Sequence, residues 1–129
     1  MNDPATVLVI DDDSLLVDLV TRKLEAHGFH VEAATDGFAG LARARVLKPD
    51  LIVLDQMMPK MDGREVLRLL RADPALSAVP VVMLTARRGE SDVINALSLG
   101  ASDFIPKPFS PDELAVRVQR LVPHRAAAG

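Results

Sequence analysis

The amino-acid sequence predicts an α/β fold, a doubly wound five-stranded parallel sheet of strand order 2-1-3-4-5 with five helices on its two faces. Short apolar runs rich in β-branched residues alternate along the chain with segments in which apolar residues recur every three to four positions. The first pattern is typical of strands buried on both faces, and the second of amphipathic helices. Strands and helices that alternate in this way form a parallel sheet joined by right-handed crossovers.

The polarity of the strand segments indicates their order in the sheet. Strongly apolar runs lie at residues 7–10, 51–54 and 81–84, and runs of mixed polarity lie at 31–34 and 103–106. Apolar strands are expected in the centre of the sheet and mixed ones at its edges. Pro106 favours an edge position for the last strand, because proline cannot donate a hydrogen bond to a central ladder. With the first, third and fourth strands central, the order 2-1-3-4-5 follows.

Capping residues mark the helices, which are predicted in chain order at residues 15–24, 38–47, 62–70, 90–99 and from 110 onward. Gly28 stands where a glycine ends the first helix. Asp62 and Glu65 form an Asp-x-x-Glu variant of the capping box at the start of the third. Ser110 is a cap followed by Pro111 at the first helical position of the fifth. The fourth helix has the weakest helix-forming sequence, because its Ser, Asp, Val, Ile and Asn residues rank below alanine in helix propensity.

Length and composition narrow the class of protein. The 129 residues make one ordinary domain, and 49% hydrophobic with 26% charged residues is typical of a soluble globular chain. The absence of cysteine excludes disulfide scaffolds, thiolate zinc sites and cysteine nucleophiles. No signal peptide and no membrane-spanning run is found, so we expect a cytoplasmic protein without membrane contact. The net charge of −3 lacks the basic excess of nucleic-acid binders, so we expect no direct nucleic-acid binding.

Polar side chains follow four of the five predicted strands. They are Asp11, Asp12 and Asp13 after the first strand, Asp55 after the third, Thr85 after the fourth and Lys107 after the fifth. Since the carboxyl ends of parallel strands share one edge of the sheet, we expect these groups to meet where the strand order reverses. A single aspartate at such a junction commonly caps a helix, and we expect Asp13 or Ser14 to cap the first one. Capping does not explain Asp55, because the next helix begins only at about Asp62.

The acidic residues of this group, Asp11, Asp12 and Asp55, predict a cation site. Two carboxylates about 4 Å apart repel each other by about 4 kcal/mol at an effective dielectric constant of about 20. The three would either take up protons or bind a cation, and carboxylate oxygens with water suit Mg²⁺, with Mn²⁺ as a substitute. A divalent ion, the Lys107 ammonium and the Thr85 hydroxyl around a carboxylate are the components of phosphoryl transfer to that carboxylate.

Four motifs that contain these residues resemble those of the receiver domains of two-component response regulators, which have a flavodoxin-like fold. The motifs are VLVIDDD at 7–13, IVLDQMMPKMDG at 52–63, VVMLTA at 81–86 and GASDFIPKPF at 100–109. The resemblance covers nearly the whole chain. It implies a receiver domain at residues 5–122, followed by a C-terminal tail or linker stump at 123–129.

The resemblance implies a role for each acidic residue. Asp55 would accept a phosphoryl group from a partner sensor histidine kinase or phosphotransfer protein, in a Mg²⁺-dependent reaction that switches the conformation of the domain and alters its protein–protein contacts. Asp11, Asp12 and Asp55 would bind the Mg²⁺ together with the backbone carbonyl of Met57. Such a domain is a phosphoacceptor rather than an enzyme, and it assists only its own phosphorylation and dephosphorylation.

Residues of the last two strands would respond to the phosphoryl group, by the same resemblance. Thr85 and Lys107 would contact the phosphoryl group, and Thr85 and Phe104 would form the conformational switch. The Lys107–Pro108 peptide bond would be cis, which costs only about 0.5 to 1 kcal/mol before proline.

The resemblance also implies partner contacts. Asp103 and Arg117 would pair across a phosphorylation-dependent homodimer, through the face made by the fourth helix, the fifth strand and the fifth helix. We expect the output to be contact with a downstream protein, since no DNA-binding or catalytic effector is recognisable in the sequence. The cognate kinase, the target, the signal, the oligomeric state and the lifetime of the phosphorylated state stay open. So does the choice between a complete single-domain regulator and a fragment of a longer protein.

Two other functions fit parts of the same pattern. A phosphohydrolase of the haloacid dehalogenase type would use Asp11 as nucleophile and Asp13 as acid/base, with Thr85 and Lys107 in its later motifs. Against it, no second acidic pair follows the fourth strand, the chain is short for such an enzyme, and Asp55 has no role. A receiver-like scaffold that never takes up phosphate is disfavoured, because every expected polar group is present. Identifying the aspartate that becomes phosphorylated distinguishes the receiver domain, which would use Asp55, from the phosphohydrolase, which would use Asp11.

Overall fold

The sheet is parallel and has helices on both faces. A computed structural model of the protein describes residues 4–85, 98 and 100–122. The elements are β1 (Thr6–Ile10), α1 (Ser14–Ala26), β2 (His30–Ala34), α2 (Gly37–Leu47), β3 (Leu51–Asp55), α3 (Gly63–Ala72), β4 (Val81–Thr85), β5 (Asp103–Pro106) and α4 (Pro111–Leu121). The strand order is β2-β1-β3-β4-β5 with every pair parallel, which confirms the predicted sheet.

Two predicted segments lie almost entirely outside the residues that the structure describes. The helix predicted at 90–99 is described at Ser98 alone, and the tail at 123–129 lies outside the described residues. The helices α1, α2, α3 and α4 correspond to the other four predicted helices. Within the described part of the chain, every helix is too short or too polar to cross a membrane.

Each side of the sheet has its own apolar core, because successive strand residues face opposite sides. In β1, Leu8 and Ile10 pack with α2 and α3, whereas Val7 and Val9 pack with α1 and α4. Every residue of β3 and β4 is buried, as the continuous apolar runs predicted. Burial of one large apolar side chain stabilises the fold by about 1.5 to 3 kcal/mol. These two cores therefore make the sheet a rigid support for the side chains at its carboxyl edge.

Two of the predicted caps are confirmed at α1 and α4. Asp13 accepts the backbone N–H groups of the residues two and three positions further on, at 3.1 and 3.2 Å. Ser110 accepts the N–H of Glu113 at 3.1 Å, and Pro111 is the first residue of α4. Gly28 has a φ of 91° just beyond the end of α1, a conformation that favours glycine. A side-chain cap of this kind stabilises a helix by about 1 kcal/mol.

The caps of α2 and α3 differ in part from the predicted ones. Asp62 accepts the N–H of Glu65 at 3.0 Å, as predicted, but the carboxylate of Glu65 binds Arg68 at 2.6 and 2.8 Å. The capping box is therefore present in one direction only. Asp36 accepts the N–H of Ala39 at 2.8 Å and caps α2, a contact that the sequence analysis did not anticipate.

The strands are slightly longer than predicted. β1 and β2 begin one residue earlier, at Thr6 and His30, which are paired in the sheet. β3 and β4 end one residue later, at Asp55 and Thr85, because a polar residue at a strand end adds nothing to an apolar pattern. The ladder continues past them, since the N–H of Lys107 donates to the carbonyl of Thr85 at 2.6 Å. Asp55 and Thr85 are thus positioned by the sheet itself.

Candidate metal centre

Three carboxylates meet at the carboxyl edge of the sheet. Asp11 and Asp12 follow β1 and Asp55 ends β3, and one oxygen of each lies within 4.8 Å of the others. Asp11 and Asp55 are buried, with 0% and 3% of their surface exposed, whereas Asp12 is exposed. Like charges at this separation repel by about 3 to 4 kcal/mol per pair at an effective dielectric constant of about 20. This repulsion favours the binding of a cation.

Asp11 keeps one buried oxygen without a hydrogen bond. Its Oδ1 accepts the backbone N–H of Asp13 at 2.9 Å, while its Oδ2 accepts no hydrogen bond from any described residue. Burial above all, and then the charge of Asp55, raise the pKa of Asp11 to about 6, against the lowering effects of the Asp13 N–H and of Lys107. A buried carboxylate oxygen without a donor is costly unless a cation binds it. This set of carboxylate oxygens suits a hard divalent cation.

Lys107 is the cation that the described residues supply to this cluster. Its Nζ lies 3.1 Å from Oδ1 of Asp55 and 3.6 Å from Oδ2 of Asp11, and 27% of its side chain is exposed. Burial acts to lower the pKa of Lys107, but the two carboxylates outweigh burial and raise the pKa above its ordinary value. One ammonium does not balance the negative charge of three carboxylates, and a divalent cation would neutralise the remainder. The peptide bond between Lys107 and Pro108 is cis.

Met57 belongs to the turn that follows Asp55. Its backbone N–H donates to Oδ1 of Asp55 at 3.4 Å, a long hydrogen bond that keeps the Met57 peptide beside the carboxylate. Its side chain is 59% exposed. The role of the Met57 carbonyl as a metal ligand stays a prediction.

Thr85 and Phe104 lie on the neighbouring strands β4 and β5. Thr85 is 4% exposed and ends β4 between the strands that carry Asp55 and Lys107. Phe104 is partly buried and packs against the core on the side of α2 and α3. Thr85 thus lies at the carboxyl end of the strand next to that of Asp55, and Phe104 lies one strand further out. The switch role of this pair stays a prediction.

Asp103 and Arg117 form an ion pair within one chain. Nη1 of Arg117 lies 2.9 Å from each carboxylate oxygen of Asp103 and donates to the carbonyl of Phe104 at 3.3 Å. The pair joins α4 to β5, and both side chains are less than a third exposed, at 29% and 28%. The resemblance described above implies that this pair forms across a dimer. Pairing between two chains would have to replace the internal contact.

An open cleft of about 260 Å³ adjoins Lys107. It is lined by Asp13, Leu16, Lys107, Pro108 and Phe109. Neither Leu16 nor Phe109 was predicted to lie at the site. The apolar period of α1 predicted only core packing for Leu16, and no local pattern places it opposite Phe109.

The contacts of Asp13 argue against the phosphohydrolase alternative. Its Oδ1 accepts two backbone N–H groups and caps the start of α1, so this carboxylate is engaged in a structural contact rather than in acid/base chemistry. Lys107 lies closer to Asp55 than to Asp11, at 3.1 against 3.6 Å. The carboxylate nearest to Lys107 is thus that of Asp55, the residue for which that alternative has no role.

Known proteins are similar to this chain in sequence. The family described as the response regulator receiver domain matches residues 7–119. The DNA-binding response regulator MtrA of Mycolicibacterium paratuberculosis is 47% identical over 113 residues, which are 88% of this chain and 49% of that protein. The alkaline phosphatase synthesis transcriptional regulatory protein PhoP of Bacillus subtilis is 45% identical over 116 residues, 90% of this chain and 48% of that protein. The chain thus spans about half the length of the curated relatives that it matches.

Solved structures share the fold over almost their full length. The chemotaxis response regulator CheY4 of Vibrio cholerae superimposes with a TM-score of 0.87 at 32% identity, covering 92% of this chain and 98% of that one. The receiver domain of the Francisella response regulator 1452 gives a TM-score of 0.86 at 37% identity, covering 91% and 95%. Sequence and fold agree over the same residues, and the chain belongs to the family of response regulator receiver domains of two-component signal transduction.

Proposed function

We propose that this receiver domain accepts a phosphoryl group on Asp55 from the phosphohistidine of a sensor histidine kinase or of a phosphotransfer protein. An oxygen of Asp55 attacks phosphorus, a P–O bond forms as the P–N bond breaks, and the imidazole leaves with the electron pair and takes up a proton from water. The observation that carries the proposal is the Asp55 carboxylate, which lies within 4.8 Å of two other acidic ligands and 3.1 Å from Lys107.

Asp11, Asp12 and Asp55 fit Mg²⁺, with Mn²⁺ as a substitute, and the carbonyl of Met57 would complete the ligands from the protein. The buried Oδ2 of Asp11, which lacks a hydrogen bond within the described residues, supports this assignment. When bound, the ion would neutralise the charge on the carboxylates and on the phosphoryl oxygens. The chain itself holds the oxygens in place, through the N–H of Asp13 on Asp11 and the N–H of Met57 on Asp55.

Lys107 and Thr85 would bind the transferred phosphoryl group. The Lys107 ammonium pairs with Asp55 before transfer, and from the same position it can donate to a phosphoryl oxygen after transfer. Thr85 ends the strand between those of Asp55 and Lys107, so its hydroxyl can reach a second oxygen. The same groups would assist hydrolysis of the aspartyl phosphate, which is the domain's own dephosphorylation.

Thr85 and Phe104 would carry the signal from the phosphoryl group to the surface. A hydroxyl drawn toward the phosphoryl group leaves room near β5, and the Phe104 ring would change rotamer to use it. Arg117 binds both Asp103 and the carbonyl of Phe104, so its contacts are sensitive to a movement of β5. A few kcal/mol of differential interaction is enough to shift such a two-state equilibrium.

The output would be altered contact with a downstream protein, including a phosphorylation-dependent homodimer through Asp103 and Arg117. We assign the domain to the cytoplasm, without membrane contact or direct nucleic-acid binding. The DNA binding named for MtrA is a property of a protein about twice as long. Sedimentation with and without a beryllofluoride phosphate mimic tests the homodimer, and a monomer under both conditions would contradict it.

Labelling with radioactive acetyl phosphate and Mg²⁺ tests the phosphoacceptor. The unsubstituted protein should incorporate label, and Asp55→Asn should not. Asp36→Asn is the matched control, since asparagine can still cap α2 and the site is untouched. Full labelling of Asp55→Asn would overturn the proposal.

A further inference from the structure

The first residue of α3 is fastened to the backbone of the phosphoacceptor. The chain leaves β3 at Asp55, and after residues 56–62 it returns to the same place at Gly63. The backbone N–H of Gly63 donates to the carbonyl of Gln56 at 2.9 Å. The start of α3 therefore closes the turn that contains Asp55, Gln56 and Met57.

Gly63 approaches this backbone too closely for any side chain. A Cβ added at Gly63 would lie 2.3 Å from the carbonyl oxygen of Asp55, 2.8 Å from Cα of Gln56 and 3.0 Å from the carbonyl carbon of Asp55. All three atoms belong to the main chain, so no rotamer change can relieve the contact. The requirement for glycine is thus one of close approach, and it is directed at the residue that carries the reactive carboxylate.

We infer that Gly63 is a positioning residue for phosphoryl transfer. This inference rests on the proposed function of Asp55. A side chain at residue 63 would displace the Asp55–Gln56 peptide, which lies between the Asp55 carboxylate and the peptide of Met57. Gly63 is none of the residues assigned to the metal or to the phosphoryl group, and it would act by fixing the turn that carries Asp55 and Met57.

Gly40 offers a matched control. A Cβ at Gly40 would lie 2.6 to 2.9 Å from Cδ1, Cγ2 and Cγ1 of Ile10, all in a side chain. Both glycines are buried in helices, so Gly→Ala adds one methyl group and a steric conflict in each case. At Gly40 the conflict is with the side chain of Ile10, whereas at Gly63 it is with the backbone of the site.

The test compares Gly63→Ala with Gly40→Ala by calorimetric Mg²⁺ titration and by the rate of labelling with acetyl phosphate at saturating Mg²⁺. Gly63→Ala should weaken Mg²⁺ binding by about tenfold or more. It should also slow labelling by about a hundredfold. Gly40→Ala should leave both quantities within about twofold of the unsubstituted protein, whatever its effect on the midpoint of thermal unfolding. Gly63→Ala with unchanged Mg²⁺ binding and labelling would overturn the inference.

A measurement on the unsubstituted protein covers the case in which Gly63→Ala does not fold. The scalar coupling through the hydrogen bond from the Gly63 amide to the Gln56 carbonyl should be detectable by NMR and should change when Mg²⁺ is added. Absence of the coupling, or its indifference to Mg²⁺, would overturn the inference. Failure of the unsubstituted protein to label at Asp55 would instead overturn the proposed function, and this inference with it.

Discussion

The Nζ atom of Lys107 lies 3.1 Å from Oδ1 of Asp55, although 52 residues separate the two in the chain. The contact joins the end of β5 to the end of β3 across the intervening strand β4. It holds a cation beside the carboxylate that would receive the negatively charged phosphoryl group. Preorganised charge of this kind is among the largest contributions to catalysis.

Lys107→Gln should slow phosphorylation without weakening the metal site. The rate of labelling by acetyl phosphate at saturating Mg²⁺ should fall about a hundredfold, because the cation near the phosphoryl oxygens is lost. Mg²⁺ binding measured by calorimetry should be as tight or tighter, since a competing positive charge has gone. Lys23→Gln, which breaks an ion pair with Asp112 between α1 and α4, is the control and should label normally. An unchanged rate for Lys107→Gln would contradict the role given to the ammonium.

Mg²⁺ binding should strengthen as the pH rises through about 6. Burial, reinforced by the charge of Asp55, raises the pKa of Asp11 to about 6, so a proton occupies this ligand in more acidic solution. The apparent affinity should fall about tenfold per pH unit below that value and level off above about pH 7. Calorimetric titrations between about pH 5 and pH 8 measure this dependence. A constant affinity across the range would show that Asp11 is not a ligand.

Asp11→Asn should stabilise the metal-free fold at neutral pH. The pKa of Asp11 is raised from 3.8 to about 6 in the folded state, so protonation favours folding, and this stabilisation is lost as the pH rises from about 4 through 6. Asparagine keeps an acceptor for the Asp13 N–H and removes the charge. The free energy of unfolding at about pH 7.5 should rise by about 1 to 3 kcal/mol.

Urea unfolding in the presence of a chelator measures this gain. The gain should shrink as the pH falls toward about 4. Asp18→Asn, in an exposed i,i+4 pair with Arg22, is the control and should change the free energy of unfolding by less than about 0.5 kcal/mol. A loss of stability in Asp11→Asn at neutral pH would refute the electrostatic account of the cluster.

Arg71→Ala should destabilise the fold although Arg71 has no part in the site. Its guanidinium donates to the carbonyl of Gly100 at 3.0 and 2.7 Å, to that of Val79 at 2.7 Å and to that of Ser77 at 3.2 Å. The loss of these hydrogen bonds should lower the free energy of unfolding in urea by about 2 to 4 kcal/mol. Arg71→Lys should restore only part of this free energy. Arg68→Ala, which breaks an exposed ion pair with Glu65 on the same helix, should lower the free energy of unfolding by less than about 1 kcal/mol. Equal effects of the two alanine variants would contradict this account.

Much of the fold could be predicted because burial on both faces of a strand leaves a clear record in the sequence. The continuous apolar runs at 51–54 and 81–84 identify central strands, and Asp13 and Ser110 identify helix starts. The cap of α2 could not be predicted in the same way. The mixture of Gly, Ala and Arg in this helix gives little amphipathic contrast, so Asp36 has no apolar pattern behind it to mark it as a cap.

The site could be predicted in outline because polar residues at the ends of adjacent parallel strands must meet. That rule brought Asp11, Asp55 and Lys107 together correctly. It could not anticipate contacts that depend on the path of a loop or on the docking of two elements. The close approach of Gly63 to Asp55 depends on the course of residues 56–62, and the binding of Arg117 to its own chain depends on how α4 packs against β5.

Chemical trapping of the phosphorylated residue tests the central claim most directly. The protein is treated with acetyl phosphate and Mg²⁺ and then reduced with tritiated borohydride, which converts an aspartyl phosphate to homoserine, and the labelled peptide is sequenced. Tritium at residue 55 alone, lost when Mg²⁺ is omitted, is the predicted result. Tritium at Asp11, or none with Mg²⁺ present, would contradict the account.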